Sequence, residues 1–210
     1  MGERFSLLRW LTMPAAEPDT PRDFFARLPV IETPRLTLRK MTMRDTSDMY
    51  RYCRDKEVAR HVLWEAHTSI LETRAYIRYN LYQYRSGEPA SWCIVLRETG
   101  RVVGTIGYMS YSEDNSTVEV GYSLAREQWG QGLMTEALQA VIDETFRVLK
   151  VHRIEAMHIS DNPASGRVMQ KCGMTHEGRM RGKICCKGTF RDVEMWGILN
   201  TDWTQRHKKK

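Results

Sequence analysis

The sequence predicts an α+β fold in which helices cover a mostly antiparallel, partly parallel sheet. Three observations predict this class. Strand-like runs between residues 91 and 124 follow one another through short turns, as in a meander. A glycine-bearing turn after the last of these runs opens a helical run. A later strand is followed at once by an Asn-Pro helix start.

The first elements are predicted from alternation and capping. Arg35–Arg39 alternates polar and apolar residues, which is typical of a half-buried strand. A helix that runs through about Arg54 is predicted, with Asp45 or Ser47 as its cap. Ser69 and Glu72 form a capping box ahead of a longer helical run over residues 70–85.

The later elements are predicted from turns and helix signals. Asn162 as a cap and Pro163 at the first helical position start a helix, and Gly173 ends it. The remaining predicted elements are strands over residues 91–97, 102–111, 117–124, 153–159, 174–180 and 190–199 and a helix over residues 133–150.

The turn Gly130-Gln131-Gly132 joins a strand to the helix over residues 133–150. Helix N-termini carry free N–H groups and a favourable dipole for anions, and glycine admits close approach, so such a turn can hold a phosphate. It is no dinucleotide fingerprint, because Thr135 stands where the third small residue is needed. It is no Walker loop either, because the lysine is missing. A turn that serves only strand-to-helix geometry is the alternative.

Length and composition favour one globular domain with an appendage. The 210 residues are 41% apolar and 28% charged. No apolar run reaches the roughly 18 residues that a membrane helix needs. Residues 1–29 contain a short apolar patch interrupted by Arg4 and Arg9, which predicts an N-terminal appendage and no signal peptide. A cytoplasmic protein without membrane contact is expected.

The net charge of +6 is concentrated at the C-terminus. Arg206 and the three terminal lysines contribute +4 of it, which leaves +2 for the rest of the chain. Residues 204–210 are therefore predicted to be a basic, solvated tail. No direct nucleic-acid binding is expected from such a tail alone, whereas a mildly positive body suits an anionic cofactor.

Cysteine and histidine spacing predicts neither a disulfide scaffold nor a metal site. The five cysteines are odd in number and contain no C-x-x-C pair, and the six histidines lack the spacing of metal ligands. Free thiols in a reducing compartment and no metal are therefore expected.

A series of short motifs runs through the chain in a fixed order. They are Glu119-Val-Gly-Tyr122, Trp129-Gly-Gln-Gly-Leu-Met-Thr-Glu-Ala-Leu138, His152-Arg-Ile-Glu155, Asn162-Pro-Ala-Ser165, Lys171-Cys-Gly-Met174, Glu177-Gly178 and Arg191-Asp-Val193. Together they resemble the GNAT superfamily of N-acetyltransferases, closest to its ribosomal-protein N-terminal acetyltransferase-like branch. The resemblance covers residues 30–203, the predicted domain. It implies a seven-stranded, mostly antiparallel sheet, splayed at the cofactor site and flanked by about four helices.

The resemblance implies acetyl-CoA as co-substrate. Its pyrophosphate would lie on the glycine turn, and its pantetheine arm along the free edge of the preceding strand. Trp129 and Met134 depart from the family's loop pattern, which alters packing more than contacts to the backbone. The cofactor-binding residues that the resemblance implies are Val120, Tyr122, Leu124, Gln128, Trp129, Gly130, Gln131, Gly132, Leu133, Met134, Thr135, Asn162, Ser165 and Arg167.

Glu119 stands where many related enzymes carry a carboxylate that removes the amine proton through water. A solvated charge on the outer face of the strand is the alternative reading. An α-amino group with a pKa near 8 needs roughly 3 kcal/mol less than a lysine side chain to become neutral. A site with one such carboxylate therefore favours an α-amine as acceptor.

The proton donor to the departing thiolate is less conventional. Met169 occupies the place of the family's tyrosine. The resemblance to the related branch implies Ser165 as the donor instead, directly or through water, with a helix-start role as the alternative. Asn162 is expected to cap the helix and to contact the pantetheine or a water. Tyr122 and Tyr108 are alternative donors.

The acceptor side is predicted only in outline. Ile184 stands where some ribosomal-protein acetyltransferases carry a glutamate, and the acceptor groove is expected around residues 64–67 and 183–190. The predicted function is transfer of an acetyl group from acetyl-CoA to a primary amine, expected to be a protein N-terminal α-amine, by direct attack in a ternary complex. Acetylation of a small-molecule amine and a non-catalytic acyl-CoA sensor are the alternatives. A monomer or homodimer is expected.

Overall fold

One mixed sheet carries the whole fold. A computed structural model describes residue 18 and residues 20–208. The strands are β1 (Ile31–Glu32), β2 (Leu36–Lys40), β3 (Ser91–Leu96), β4 (Val102–Ser112), β5 (Thr117–Leu124), β6 (Arg153–Ile159), β7 (Thr175–Cys186) and β8 (Thr189–Leu199). The helices are α1 (Pro21–Ala26), α2 (Thr46–Cys53), α3 (Lys56–Ala59), α4 (Ile70–Ser86), α5 (Leu133–Glu144), α6 (Pro163–Lys171) and α7 (Asn200–Lys208).

The strands lie in the order β1-β2-β3-β4-β5-β6-β8-β7, and among the described residues only β5 and β6 are parallel neighbours. The predicted α+β class is confirmed. The expected seven strands were one too few, because the two-residue strand β1 is too short to show an alternating pattern. The expected four helices are α2, α4, α5 and α6. Helices α1, α3 and α7 are additional, and α1 and α3 span fewer than two turns.

The sheet opens between its two parallel strands. Residues 117–119 of β5 pair with residues 153–155 of β6, and no pair joins the two strands beyond Glu119 in the described chain. Strand β5 nevertheless continues to Leu124 and stays paired with β4 throughout. The predicted splay is therefore present, and the edge of β5 that faces β6 is free from Val120 onward.

The core lies between the sheet and its helices. Leu138 and Val141 of α5 are fully buried against the sheet, as is Trp92 of β3. Helix α1 adds Phe24 and Phe25 to the same core, and the Phe25 ring lies 5.3 Å from that of Tyr108 in an edge-to-face contact. Among the described residues, no helix is long and apolar enough to cross a lipid bilayer.

Packing continues past both predicted domain boundaries. At the N-terminal side, Phe24 and Phe25 precede residue 30. At the C-terminal side, Arg206 of α7 donates hydrogen bonds to the carbonyls of Cys172 and Gly173. The division into an appendage, a domain and a tail stays a prediction. Residues 1–17, Asp19 and the last two residues of the tail lie outside the described residues.

Strand β7 is longer than the sequence predicted. It reaches Cys186, so Ile184 belongs to the strand and pairs with Arg191, where a loop was expected. The register shifts between Met180 and Ile184, which disrupts the alternation that would reveal a strand. A tight turn follows, in which Lys187 has φ 53° and Gly188 φ 75°.

Candidate active site

A cleft of about 470 Å³ lies where β5 and β6 part. Its walls are the end of β5, the start of α5 with the turn before it, helix α6, and helix α3 with the segment that follows it. Most of the predicted cofactor residues line it, namely Tyr122, Leu124, Gln128, Trp129, Gly130, Gly132, Leu133, Met134, Thr135, Asn162, Ser165 and Arg167.

Two predicted cofactor residues lie outside this lining. Val120 is buried in the core at 2% exposure. The Gln131 side chain instead donates a hydrogen bond of 3.0 Å to the carbonyl of Glu127. The cleft also contains residues that sequence reasoning missed, among them Val58, His61 and Lys171. The first two come from a segment far earlier in the chain, where no local pattern marks them.

The turn before α5 has the geometry of an anion site. Gly130 and Gly132 have φ values of 75° and 76°, in the left-handed region that glycine adopts without strain. Gly132 is the N-cap of α5, and no side chain caps the helix. The first N–H groups of α5 are therefore left for an external acceptor, and the helix dipole favours an anion there. A diphosphate fits this donor set.

Trp129, one of the two residues that depart from the family's loop pattern, holds this turn in place. The indole Nε1 of Trp129 donates a hydrogen bond of 2.8 Å to the carbonyl of Leu124, at the end of β5. Met134 is 6% exposed and belongs to the core. Trp129 therefore positions the turn by a hydrogen bond and Met134 by packing, and neither occupies the first N–H groups of α5.

The first turn of α6 brings Asn162 and Ser165 together. Asn162 is the N-cap, but its side chain makes no capping bond to the backbone, contrary to expectation. Instead Asn162 Nδ2 donates to Ser165 Oγ at 3.0 Å. Because Ser165 Oγ accepts this bond, its own proton remains available for a partner in the cleft.

The alternative proton donors are engaged elsewhere. The Tyr122 hydroxyl donates to the Ser165 carbonyl at 3.0 Å, and the Tyr108 hydroxyl bonds Thr145 Oγ1 at 2.6 Å. Burial raises the pKa of both phenols well above the usual range. Met169 is 2% exposed and fills the core. Ser165 lines the cleft, and its hydroxyl proton is not used in the bond with Asn162.

Glu119 lies at the base of the gap, at the last position where β5 and β6 pair. It is half-buried on the opposite face of the strand from Tyr122, while its neighbours Val118 and Val120 are buried. Burial raises the pKa of Glu119, and the negative charge of Glu155 raises it further. A hydrogen bond from Ser110 at 3.5 Å and the charge of Lys183 act in the opposite direction.

Glu155 is the register partner of Glu119 across the parallel strands. Its carboxylate accepts a bond of 3.0 Å from Arg153 Nε, and Arg153 Nη1 donates to Glu177 at 2.7 Å. The two side-by-side carboxylates favour a cation on this face of the sheet. An ammonium group is such a cation.

The β7–β8 hairpin does not line the cleft, but it is bonded to the segment after α3, two residues of which, His61 and Val62, do line it. Cys186 Sγ lies 3.4 Å from the carbonyl of Val62, and Lys187 Nζ donates to the carbonyl of Ala59 at 2.6 Å. The hairpin is thus attached to the segment after α3, in which Trp64 packs on His67. The described residues contain no cluster of three or more His, Cys, Asp or Glu side chains placed to hold a metal ion.

The mixed sheet, parted beside an uncapped helix with a carboxylate at the base of the gap, defines an N-acetyltransferase. The chain belongs to the GNAT family, because the model described as "Acetyltransferase (GNAT) domain" matches residues 35–175. The predicted family is confirmed.

Individual relatives agree with this assignment. The chain is 32% identical over 171 residues to "Uncharacterized N-acetyltransferase p20" of Bacillus licheniformis, which covers 81% of this chain and 96% of the relative. It is 34% identical over 85 residues to the "[Ribosomal protein uS5]-alanine N-acetyltransferase" of Escherichia coli (strain K12), covering 40% of this chain and 44% of that protein. These similarities support the predicted branch.

A solved structure shares the fold. It is that of the "RimL- Ribosomal L7/L12 alpha-N-protein acetyltransferase in complex with Coenzyme A". It superposes with a TM-score of 0.74 at 23% identity and covers 81% of this chain and 98% of the other.

Proposed function

We propose that this N-acetyltransferase uses acetyl-CoA to acetylate a protein N-terminal α-amine, by direct attack in a ternary complex. The observation that carries the proposal is the position of Glu119 at the last residue pair of β5 and β6, where the sheet opens. Glu119 does not itself line the cleft, whose β5 wall starts at Tyr122. The donor's side of the gap has the anion-binding turn and the free edge of β5, and the acceptor's side has the two carboxylates.

The residues that would hold the donor come from three elements. The first N–H groups of α5 bind the diphosphate, and Arg167 and Lys171 of α6 place positive charge along the same cleft. The free edge of β5 offers backbone groups to the pantetheine amides. When bound, the donor supplies an activated acetyl group as a thioester.

Glu119 removes the proton that the amine must lose. The pKa of Glu119 is raised and is therefore closer to the pKa of the ammonium group than the pKa of an exposed glutamate would be. A smaller difference between the two pKa values favours proton transfer near neutral pH. Glu155 helps to attract the ammonium form and is itself paired with Arg153. An α-amine is the better acceptor for this arrangement, because its pKa of about 8 leaves less work for the base than a lysine does.

Ser165 supplies the proton that the thiolate must gain. The Asn162 amide holds Ser165 Oγ from one side, which orients the hydroxyl proton towards the cleft. A proton is thus taken at Glu119 Oε as the C–N bond forms, and the thiolate released when the C–S bond breaks gains a proton from Ser165 Oγ. Ser165 regains its proton from water and Glu119 loses its proton to water, so the net products are the amide and the CoA thiol. Neither residue needs a metal for this role.

The test is an acceptor panel with acetyl-CoA, followed by the thiol released. The panel holds peptides with a free N-terminus, the same peptides with a blocked N-terminus and a free lysine, and single amino acids. Peptides with a free N-terminus are expected to react fastest. Faster release with amino acids would favour a small-molecule acetyltransferase. CoA binding without turnover of any amine would favour a sensor.

Glu119→Gln is the matched catalytic variant. It should lower kcat by roughly 100-fold or more, the usual contribution of a general base. Glu113→Gln removes an equal charge from the exposed turn before β5 and should leave kcat unchanged. Equal activity of Glu119→Gln and the wild type would refute the assignment of the base.

A further inference from the structure

Arg35 contacts the phosphate-binding turn from outside the cleft. It stands immediately before β2, about 100 residues from the turn in sequence, and it does not line the cleft. Its Nη1 donates to the carbonyl of Gln131 at 2.9 Å. Its Nε lies 2.6 Å from Glu136 Oε2, and its backbone N–H donates to Glu136 Oε1 at 2.9 Å. One residue thus ties the turn to the first part of α5.

The bond to the Gln131 carbonyl determines which way a peptide unit points. In a planar trans peptide, the carbonyl oxygen and the following N–H point in opposite directions. Since the Gln131 oxygen faces Arg35, the Gly132 N–H faces away from Arg35, and Gly132 lines the cleft whereas Gln131 does not. The flanking glycines Gly130 and Gly132 have little intrinsic resistance to peptide rotation. The hydrogen bond from Arg35 to the Gln131 carbonyl restrains this rotation.

The bond to Glu136 removes an unfavourable charge. Glu136 is an acid near the N-terminus of α5, where its carboxylate would repel a bound phosphate. Arg35 neutralises it, and Thr33 Oγ1 holds it with a further bond of 2.7 Å. Burial raises the pKa of Glu136, but the bonds from Thr33 and Arg35 outweigh burial and keep the group ionised. The charge therefore has to be paired.

We propose that Arg35 is a positioning residue for the diphosphate of the donor, because it orients the Gln131–Gly132 peptide towards the cleft and pairs the carboxylate of Glu136. The inference rests on the proposed use of a CoA donor. It assigns to Arg35 an effect on the diphosphate alone, with none on the thioester or the acceptor amine.

Calorimetric binding of CoA and of pantetheine tests this inference. Arg35→Ala should weaken CoA by about 10- to 100-fold, the value of one charge-assisted hydrogen bond. Pantetheine lacks the diphosphate and should bind the variant and the wild type equally. With acetyl-CoA, KM should rise while kcat stays within about twofold. Arg35→Lys keeps the charge but cannot span Glu136 and Gln131 together, so it should recover part of the affinity.

Arg97→Ala is the matched control. Arg97 has the same 49% side-chain exposure as Arg35 and donates to the Thr33 carbonyl at 2.9 Å, but has no contact with the turn. It should leave CoA affinity unchanged. Equal weakening by Arg97→Ala would reduce the effect to general charge and overturn the inference. Equal weakening of pantetheine, or no effect of Arg35→Ala on CoA, would do the same.

The outcomes also separate this inference from the proposed function. A wild type that binds no CoA would remove the donor, and the inference with it. A wild type that binds CoA, beside an Arg35→Ala variant that binds it as tightly, would overturn only the role of Arg35. The ion pair of Arg35 is half-exposed, so Tm should fall by no more than about 4 °C in the variant.

Discussion

A side chain added at Gly166 of α6 should lower the stability of the protein, although Gly166 lies inside a helix. In an exposed helix, replacing glycine with alanine stabilises by about 1 kcal/mol. Here a Cβ would lie 2.7 Å from His158 Nε2 and 3.3 Å from Trp196 Cζ2. For Gly166→Ala, helix propensity therefore raises the free energy of unfolding, whereas packing on the buried face lowers it.

The cost in packing should exceed the gain in helix propensity, because neither neighbour is free to move. His158 is 9% exposed and its Nδ1 is bonded to the Ile159 carbonyl at 2.9 Å. Trp196 packs between His158 and His176. Inserting a methyl group into such a contact costs about 1–3 kcal/mol. After the gain in propensity of about 1 kcal/mol, we expect Gly166→Ala to lose stability by up to about 2 kcal/mol, or up to about 8 °C in Tm.

Urea unfolding and calorimetry measure this change. Gln170→Ala is the control, since Gln170 is exposed on the same helix and its replacement should be neutral or slightly stabilising. Because α6 also carries Asn162 and Ser165 at its start, Gly166→Ala should weaken CoA binding as well. A variant at least as stable as the wild type would show that the contact between α6 and the sheet is loose and refute the argument.

Three further predictions follow from the site and its surroundings. Glu155→Gln removes the charge that raises the pKa of Glu119, so the acid limb of the pH profile of kcat should move to lower pH; an unmoved limb would contradict the coupling. Ser165→Ala should lower kcat by roughly 100-fold with little change in CoA affinity, measured by thiol release and calorimetry, whereas unchanged turnover would reduce Ser165 to a helix-start residue. Asp45 is buried and paired with Arg39 at 2.7 Å; burial raises the pKa of Asp45, but the hydrogen bonds and charge of Arg39 and the hydrogen bonds from Thr42 together outweigh burial and lower it overall. The stability that ionised Asp45 contributes is fully present above the unfolded pKa of about 3.9 and is lost as pH falls through the lower folded pKa. Asp45→Asn should therefore lower the free energy of unfolding by about 3 kcal/mol at pH 7, measured in urea. The difference between the variant and the wild type should shrink in acid.

Elements with a local signal could be predicted from the sequence. Strand β6 was predicted with its observed bounds, because its ends carry clear breaks in pattern. Helix α6 was predicted from Asn162 and Pro163, and the Asn162 position is correct. The bond from Asn162 to Ser165 was not predicted, because an N-cap residue can bond either the backbone or a neighbouring side chain.

Features that depend on distant partners could not be predicted. The contact of Arg35 with Gln131 joins residues 96 positions apart, and nothing near either residue indicates the other. The cleft wall formed by Val58 and His61 has the same origin. Strand β7 was cut short in the prediction because its bulge breaks the period of two on which strand prediction rests.

The parting of β5 from β6 also has a mechanical consequence. Within the part of the chain that the structure describes, only three residue pairs of strand register join the half of the sheet that holds β1–β5 to the half that holds β6–β8. The N–H groups of His152 and Arg153 add bonds to the Ser116 carbonyl at the same end. A short connection resists bending weakly, and a ligand that bridges the gap adds contacts between the halves. Donor binding should then stiffen the sheet as a whole. Slower amide exchange along residues 120–124 and 156–159 would register this stiffening at a distance from the phosphates.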